Sequence, residues 1–190
     1  MSDFSSLTAS ELGDMIGRGQ VDPVELTEHF LSHIEASPIA EKIYSTITRD
    51  LAKEQAIDAK RRAKGGRRLS SLDGVPISWK DLFDIKGYPC EAGTGLLAGR
   101  IANKNSKVYK FAEAHGLICL GKTHMSELAF SGLGLNPVTE TPPCVNFPAC
   151  VPGGSSSGAA TSVSFGLSAA GIGSDTGGSV RIPAAWNDLV

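Results

Sequence analysis

Two glycine-serine runs constrain this chain more than any other feature: Pro152-Gly153-Gly154-Ser155-Ser156-Ser157-Gly158-Ala159-Ala160, and Gly173-Ser174-Asp175-Thr176-Gly177-Gly178-Ser179-Val180-Arg181-Ile182-Pro183. Runs of this composition act as flexible linkers when their neighbours are polar and aperiodic. Here each is flanked by apolar segments that read as packed helix or strand. Consecutive glycines before a serine let the backbone fold so that successive N–H groups point into one hollow, which suits an anion, here an oxyanion.

The remainder reads as alternating strand and helix, an α/β pattern. Thr8 with Glu11 makes a capping box, and Asp22-Pro23 with Glu25 marks a second start, which predicts helices over 9–18 and 23–36. Ile43–Ile47 alternates like a short strand, and a charged helix follows over about 50–63. The predicted strand Val75–Trp79 leads into Lys80, and a glycine-punctuated loop runs from Asp81 to Gly99. Further on come a helix over 106–115, a strand over 117–120 and a short helix near Met125–Ala129. A proline-rich loop covers Gly132–Gly154, a helix starts near Ser156, and a strand covers 168–172. The expected division is a helical segment over 1–65 and a core over 66–190.

Composition narrows the partners. The chain has 190 residues, 41% hydrophobic and 20% charged, with 18 basic and 20 acidic residues giving a net charge of -2. That is enough to bury a core, and it gives no field to gather nucleic acid or a lipid surface. The N-terminus has no basic n-region followed by an apolar stretch, and no long apolar run occurs, so a cytoplasmic protein is expected. Four cysteines without CxxC spacing read as free thiols. Arg61, Arg62, Lys64, Arg67 and Arg68 read as a solvated helix end.

Two local matches are set aside. Gly116-Leu-Ile-Cys-Leu-Gly121-Lys122-Thr123 fits GxxxxGK[ST], but a phosphate loop needs a strand before its first glycine, and here the intervening residues look like the strand itself. His29 and His33 share a helix face with no third ligand near, so they read as a polar flank.

A serine hydroxyl needs a partner to take its proton, and no histidine is convincingly placed for this. A lysine can serve if burial depresses its pKa. Lys80, after a predicted strand, fits that demand. Lys86, Lys104, Lys107, Lys110 and Lys122 sit in polar or glycine-flanked settings that read as solvent-facing, and Lys122→Ala is expected to spare activity.

At these residues the sequence resembles the amidase signature family, whose hallmark is GGSS[GS]G followed by G-[ST]-D-x-G-G-S-[IV]-R-x-P; both halves are present. The segment Leu72–Pro76 through Lys80-Asp81 is similar to the family's lysine strand, and Gly121–Glu127 also matches. The resemblance implies an α/β fold with a mixed central sheet covered by helices, of which this chain would be the N-terminal portion. It implies Ser179 as nucleophile, Ser155 as relay in a cis peptide linkage, and Lys80 as base. Backbone N–H groups of Thr176, Gly177, Gly178 and Ser179 would form the oxyanion hole, with Asp175, Arg181 and Ser156 in support. The implied reaction is hydrolysis of a small carboxamide through an acyl-enzyme, with no metal or organic cofactor. The alternatives are the glutamine-cleaving subunit of an amidotransferase working with partner subunits, and a remnant inactive on its own; self-association into a homo-oligomer is a further expectation. Because the chain ends eleven residues past Ser179, the fold is expected to be incomplete, with apolar faces of the strands near 117–120 and 168–172 exposed.

Overall fold

A computed structural model describes residues 4–190. Helix α1 spans Ala9–Gly17 and α2 Pro23–Ala36, joined through a four-residue turn of helix, α3 (Ala40–Ile43), to strand β1 (Tyr44–Ile47). Helix α4 covers Arg49–Lys64, β2 Pro76–Lys80, α5 Lys107–Ala114, β3 Ile118–Thr123, α6 Ser157–Ser164, β4 Ala170–Ile172 and α7 Arg181–Trp186. The caps form as the sequence predicts. The Thr8 and Glu11 side chains exchange hydrogen bonds with each other's backbone N–H, and the Asp22 carboxylate accepts from Val24 N–H ahead of Pro23.

The four strands form one mixed sheet in the order β1-β3-β2-β4, with β2 parallel to both neighbours and β1 antiparallel to β3. Helices α2 and α4 cover one face and α6 the other. Strand β2 is buried along its whole length, and its alternation separates two chemistries. Trp79 lies 5.1 Å from the Tyr109 ring of α5, within the apolar core shared with Ile77, Phe30 and Leu26. Ser78 and Lys80 point the other way, and the Ser78 hydroxyl meets that of Ser162 on α6 at 2.7 Å. The polar face is thus roofed by a helix rich in small hydroxyl residues.

Close approach of that roof depends on Gly158, where a Cβ would stand 2.7 Å from the carbonyl oxygens of His124 and Ile43. Both are backbone atoms that cannot swing aside. Gly158→Ala is expected to lower stability by about 1–3 kcal/mol through this overpacking, read as a reduced midpoint in urea.

Several expectations change here. The strand over 117–120 is not exposed: Ile118, Cys119 and Leu120 are fully buried, because β3 lies between β1 and β2 with helices on both sides. The 168–172 stretch is half covered instead, with Ser168 and Ala169 buried and edge strand β4 partly open. The basic cluster is more than a solvated helix end, since Arg62 makes a two-pronged ion pair with the buried Asp73 carboxylate, and Arg68 donates to the Asp73 carbonyl. The Asp73 carboxylate also fills the space that a side chain at Gly116, held at φ +82°, would need. Residues 118–123, which a phosphate loop would leave curled, are β3 itself. His29 and His33 lie with ring centroids 4.0 Å apart, their planes tilted by 47°, on the half-buried flank of α2. Among the described residues no helix is long and apolar enough to cross a membrane.

Candidate active site

The two glycine-serine runs come together over the end of β2. The first enters α6 and the second leaves β4, and because β2 and β4 are parallel neighbours, both runs reach the same end of the sheet. Ser156 joins them. Its N–H donates to the Ser179 carbonyl at 3.0 Å. Its hydroxyl donates to the Ser174 carbonyl and accepts from Ser174 N–H, both at 3.3 Å. The peptide bond between Gly154 and Ser155 is cis.

Lys80, the last residue of β2, has no solvent exposure. Its Nζ donates to the Ser155 hydroxyl at 2.6 Å and to the Ser174 hydroxyl at 2.8 Å. Burial disfavours the ammonium and lowers the lysine pKa to about 8, against an upward pull from the Asp175 carboxylate. An amine in this state changes protonation near neutral pH, which an exposed lysine does not.

Asp175 braces the second run. The Arg181 guanidinium, followed by the N–H groups of Val180 and Arg181, holds its carboxyl well below the usual range. Gly178 N–H donates to the same carboxylate at 2.8 Å. Of the four N–H groups expected around the hollow, those of Thr176, Gly177 and Ser179 therefore have no hydrogen-bond partner among the described residues, while that of Gly178 is engaged. The Ser179 hydroxyl likewise has none, and Ser179 is only partly buried.

Reasoning from sequence assigned no part to Ser174, although the family pattern allows only serine or threonine there, residues whose common polar feature is a hydroxyl. It also misjudged Lys122. That residue is fully buried, with Nζ donating to Asp81 Oδ1 at 2.7 Å and to the Pro89 carbonyl at 3.1 Å. Flanking glycine and threonine suggested solvent, but β3 is an interior strand whose lysine must find an anion inside the protein. Removing one partner of such a pair strands the other charge, so the expected tolerance of Lys122→Ala does not stand. His124 is also buried, which lowers its pKa.

Comparison with known proteins places the chain among relatives of one family. The family described as Amidase matches residues 25–190. The glutamyl-tRNA(Gln) amidotransferase A-type polypeptide of Acinetobacter baylyi is 37% identical over 194 residues, covering 100% of this chain and 38% of its own length. Its counterpart in Anaeromyxobacter dehalogenans is 38% identical, over 99% of this chain and 38% of its own. Among solved structures, the peptide amidase of Stenotrophomonas maltophilia superposes with a TM-score of 0.88 at 26% identity, covering 97% of this chain and 39% of that one. A bacterial aryl acylamidase of the amidase signature family gives 0.86 at 29% identity, covering 95% and 38%. The chain thus spans about 38% of the length of the curated relatives it matches. A buried lysine on two serine hydroxyls, framed by both glycine-serine runs and matched by the family across most of the sequence, places this chain in the amidase signature family.

Proposed function

We propose that this chain carries the nucleophilic centre of an enzyme that hydrolyses carboxamides, with Ser179 as nucleophile, Ser155 as relay and Lys80 as base. The observation supporting this most directly is the 2.6 Å contact between Lys80 Nζ and Ser155 Oγ in a setting that brings the lysine pKa to about 8. In the neutral amine form, Lys80 accepts the Ser155 proton while Ser155 takes the proton of Ser179. The Ser179 oxygen bonds to the amide carbon, and the carbonyl oxygen gathers negative charge near the N–H groups of Thr176, Gly177 and Ser179. The proton returns through Ser155 to the departing nitrogen, the C–N bond breaks, and ammonia or an amine leaves an ester on Ser179. Water then attacks that ester by the same route and frees the carboxylate. The role of Asp175, Arg181 and Ser156 is to hold the two runs in register.

A second reading concerns the amide itself. Identities of 37–38% to the A-type polypeptides of glutamyl-tRNA(Gln) amidotransferases across nearly the whole chain favour glutamine as ammonia donor, with partner subunits receiving the ammonia. Two measurements test both readings: intact-mass detection of labelling by a fluorophosphonate probe, and ammonia release from glutamine compared with simple carboxamides. Labelling with glutamine preference supports the second reading, and labelling with broad amide turnover supports the first. No labelling and no turnover would mean that this chain is inactive on its own.

A further inference from the structure

The residue after Lys80 is held with unusual thoroughness. Asp81 N–H donates to the Thr123 carbonyl at 3.0 Å, and the Asp81 carbonyl accepts from Ala92 N–H at 3.0 Å. One carboxylate oxygen takes the Lys122 ammonium at 2.7 Å and the other takes Glu91 N–H at 3.0 Å. On the neighbouring strand, Lys122 is in register with Trp79 and Thr123 with Lys80, so the pair spans the two strands where β2 ends.

A buried ion pair is a weak source of stability, because desolvating two charges offsets most of their attraction, and apolar replacements of similar volume often serve as well. Its placement beside the lysine that touches Ser155 calls for another account. We propose that Lys122 is a positioning residue whose ion pair with Asp81 fixes the turn after Lys80 and keeps the Lys80 amine dry and directed at Ser155. This rests on reading Lys80 as the base.

The ionisable groups packed around the pair are consistent with that role. On the loop side stand Cys90 and the Asp84–Arg100 ion pair, on the β3 side Cys119 and His124, and across the site Asp175 faces Lys80. Within this group Lys122 is the buried cation that offsets Asp81. Without it, the turn after β2 loosens and admits water, and an unbalanced carboxylate sits next to Lys80. Both changes favour the Lys80 ammonium, so they act with the same sign.

The test is a nitrogen-15 NMR titration of Lys80, assigned with Lys80→Met, in the wild type, Lys122→Met and Lys122→Gln. Glutamine keeps an N–H donor for Asp81 and serves if methionine does not fold. As control, Lys60→Met removes the half-exposed pair with Asp22. In variants whose amide spectra stay dispersed, the Lys80 midpoint is expected to climb from about 8 by about one unit or more, while Lys60→Met leaves it in place. A folded Lys122 variant whose Lys80 still titrates near 8 would overturn the proposal. So would failure of both Lys122 variants to fold, which would make the pair a requirement of the fold. Because the titration needs no substrate, it can fail while Ser179-dependent labelling persists, and the reverse also holds.

Discussion

Replacing Ser179 by alanine is expected to reduce fluorophosphonate labelling to background and amide turnover by on the order of 10⁴-fold or more, as loss of a nucleophile does elsewhere. The fold should hardly notice. Ser179 is partly exposed, its hydroxyl has no partner among the described residues, and its link to Ser156 runs through the backbone carbonyl, which alanine keeps. Substitutions of this kind shift stability by no more than about 0.5 kcal/mol, so lost labelling with an unchanged melting temperature would report chemistry alone. Labelling that survives the substitution would remove Ser179 from the mechanism.

The Lys80 amine makes the second expectation one of pH. With a midpoint of about 8, about one molecule in ten is neutral at pH 7, compared with roughly one in 3,000 for an ordinary lysine. Acylation should therefore rise with pH up to a midpoint of about 8 and then level. In Lys80→Met the rate should fall by about 10²–10⁴-fold, the usual span for a lost general base, and the rise around the midpoint should vanish. Stability carries the same signature with a definite sign. The folded midpoint lies below the ordinary lysine value of 10.5, so between about 8 and 10.5 the unfolded chain binds more protons than the folded one. The cost of burying the ammonium is thus complete below the folded midpoint and disappears as pH passes the unfolded one. Relative to Lys80→Met, the wild type should gain in melting temperature as pH is raised through that window. A parallel pH dependence of the two proteins would mean that Lys80 titrates normally.

The legible parts of the sequence were those governed by local rules. Caps at Thr8 and Asp22 give helix starts to the residue, and the segment Val75–Trp79 reads as a strand that leads into Lys80, close to the observed Pro76–Lys80. The nearness of Lys80 to Ser155 was reachable only through the family resemblance, since those residues lie 75 positions apart and no periodicity links them. What escaped notice depends on long-range pairing. Lys122 reads as exposed until β3 is known to be interior, and Arg62 reads as solvated until Asp73 is found beneath it. Helix α7, with Pro183 at its third position, carries no apolar period long enough to announce itself.

The order of the strands has a further consequence for motion. Among the described residues β1 and β4 are each bonded on one side only, and β4, at three residues, is the shorter of the two, whereas β2 and β3 are bonded on both. Local opening should therefore begin at β4, whose amides will exchange with solvent sooner than those of the two inner strands. The turn that carries Ser174, Asp175 and Ser179 leaves directly from that strand, while Lys80 is anchored in the most protected one. The two sides of the site thus differ in rigidity, and whatever covers the free edge of β4 will also set how long the serine side stays aligned with its lysine.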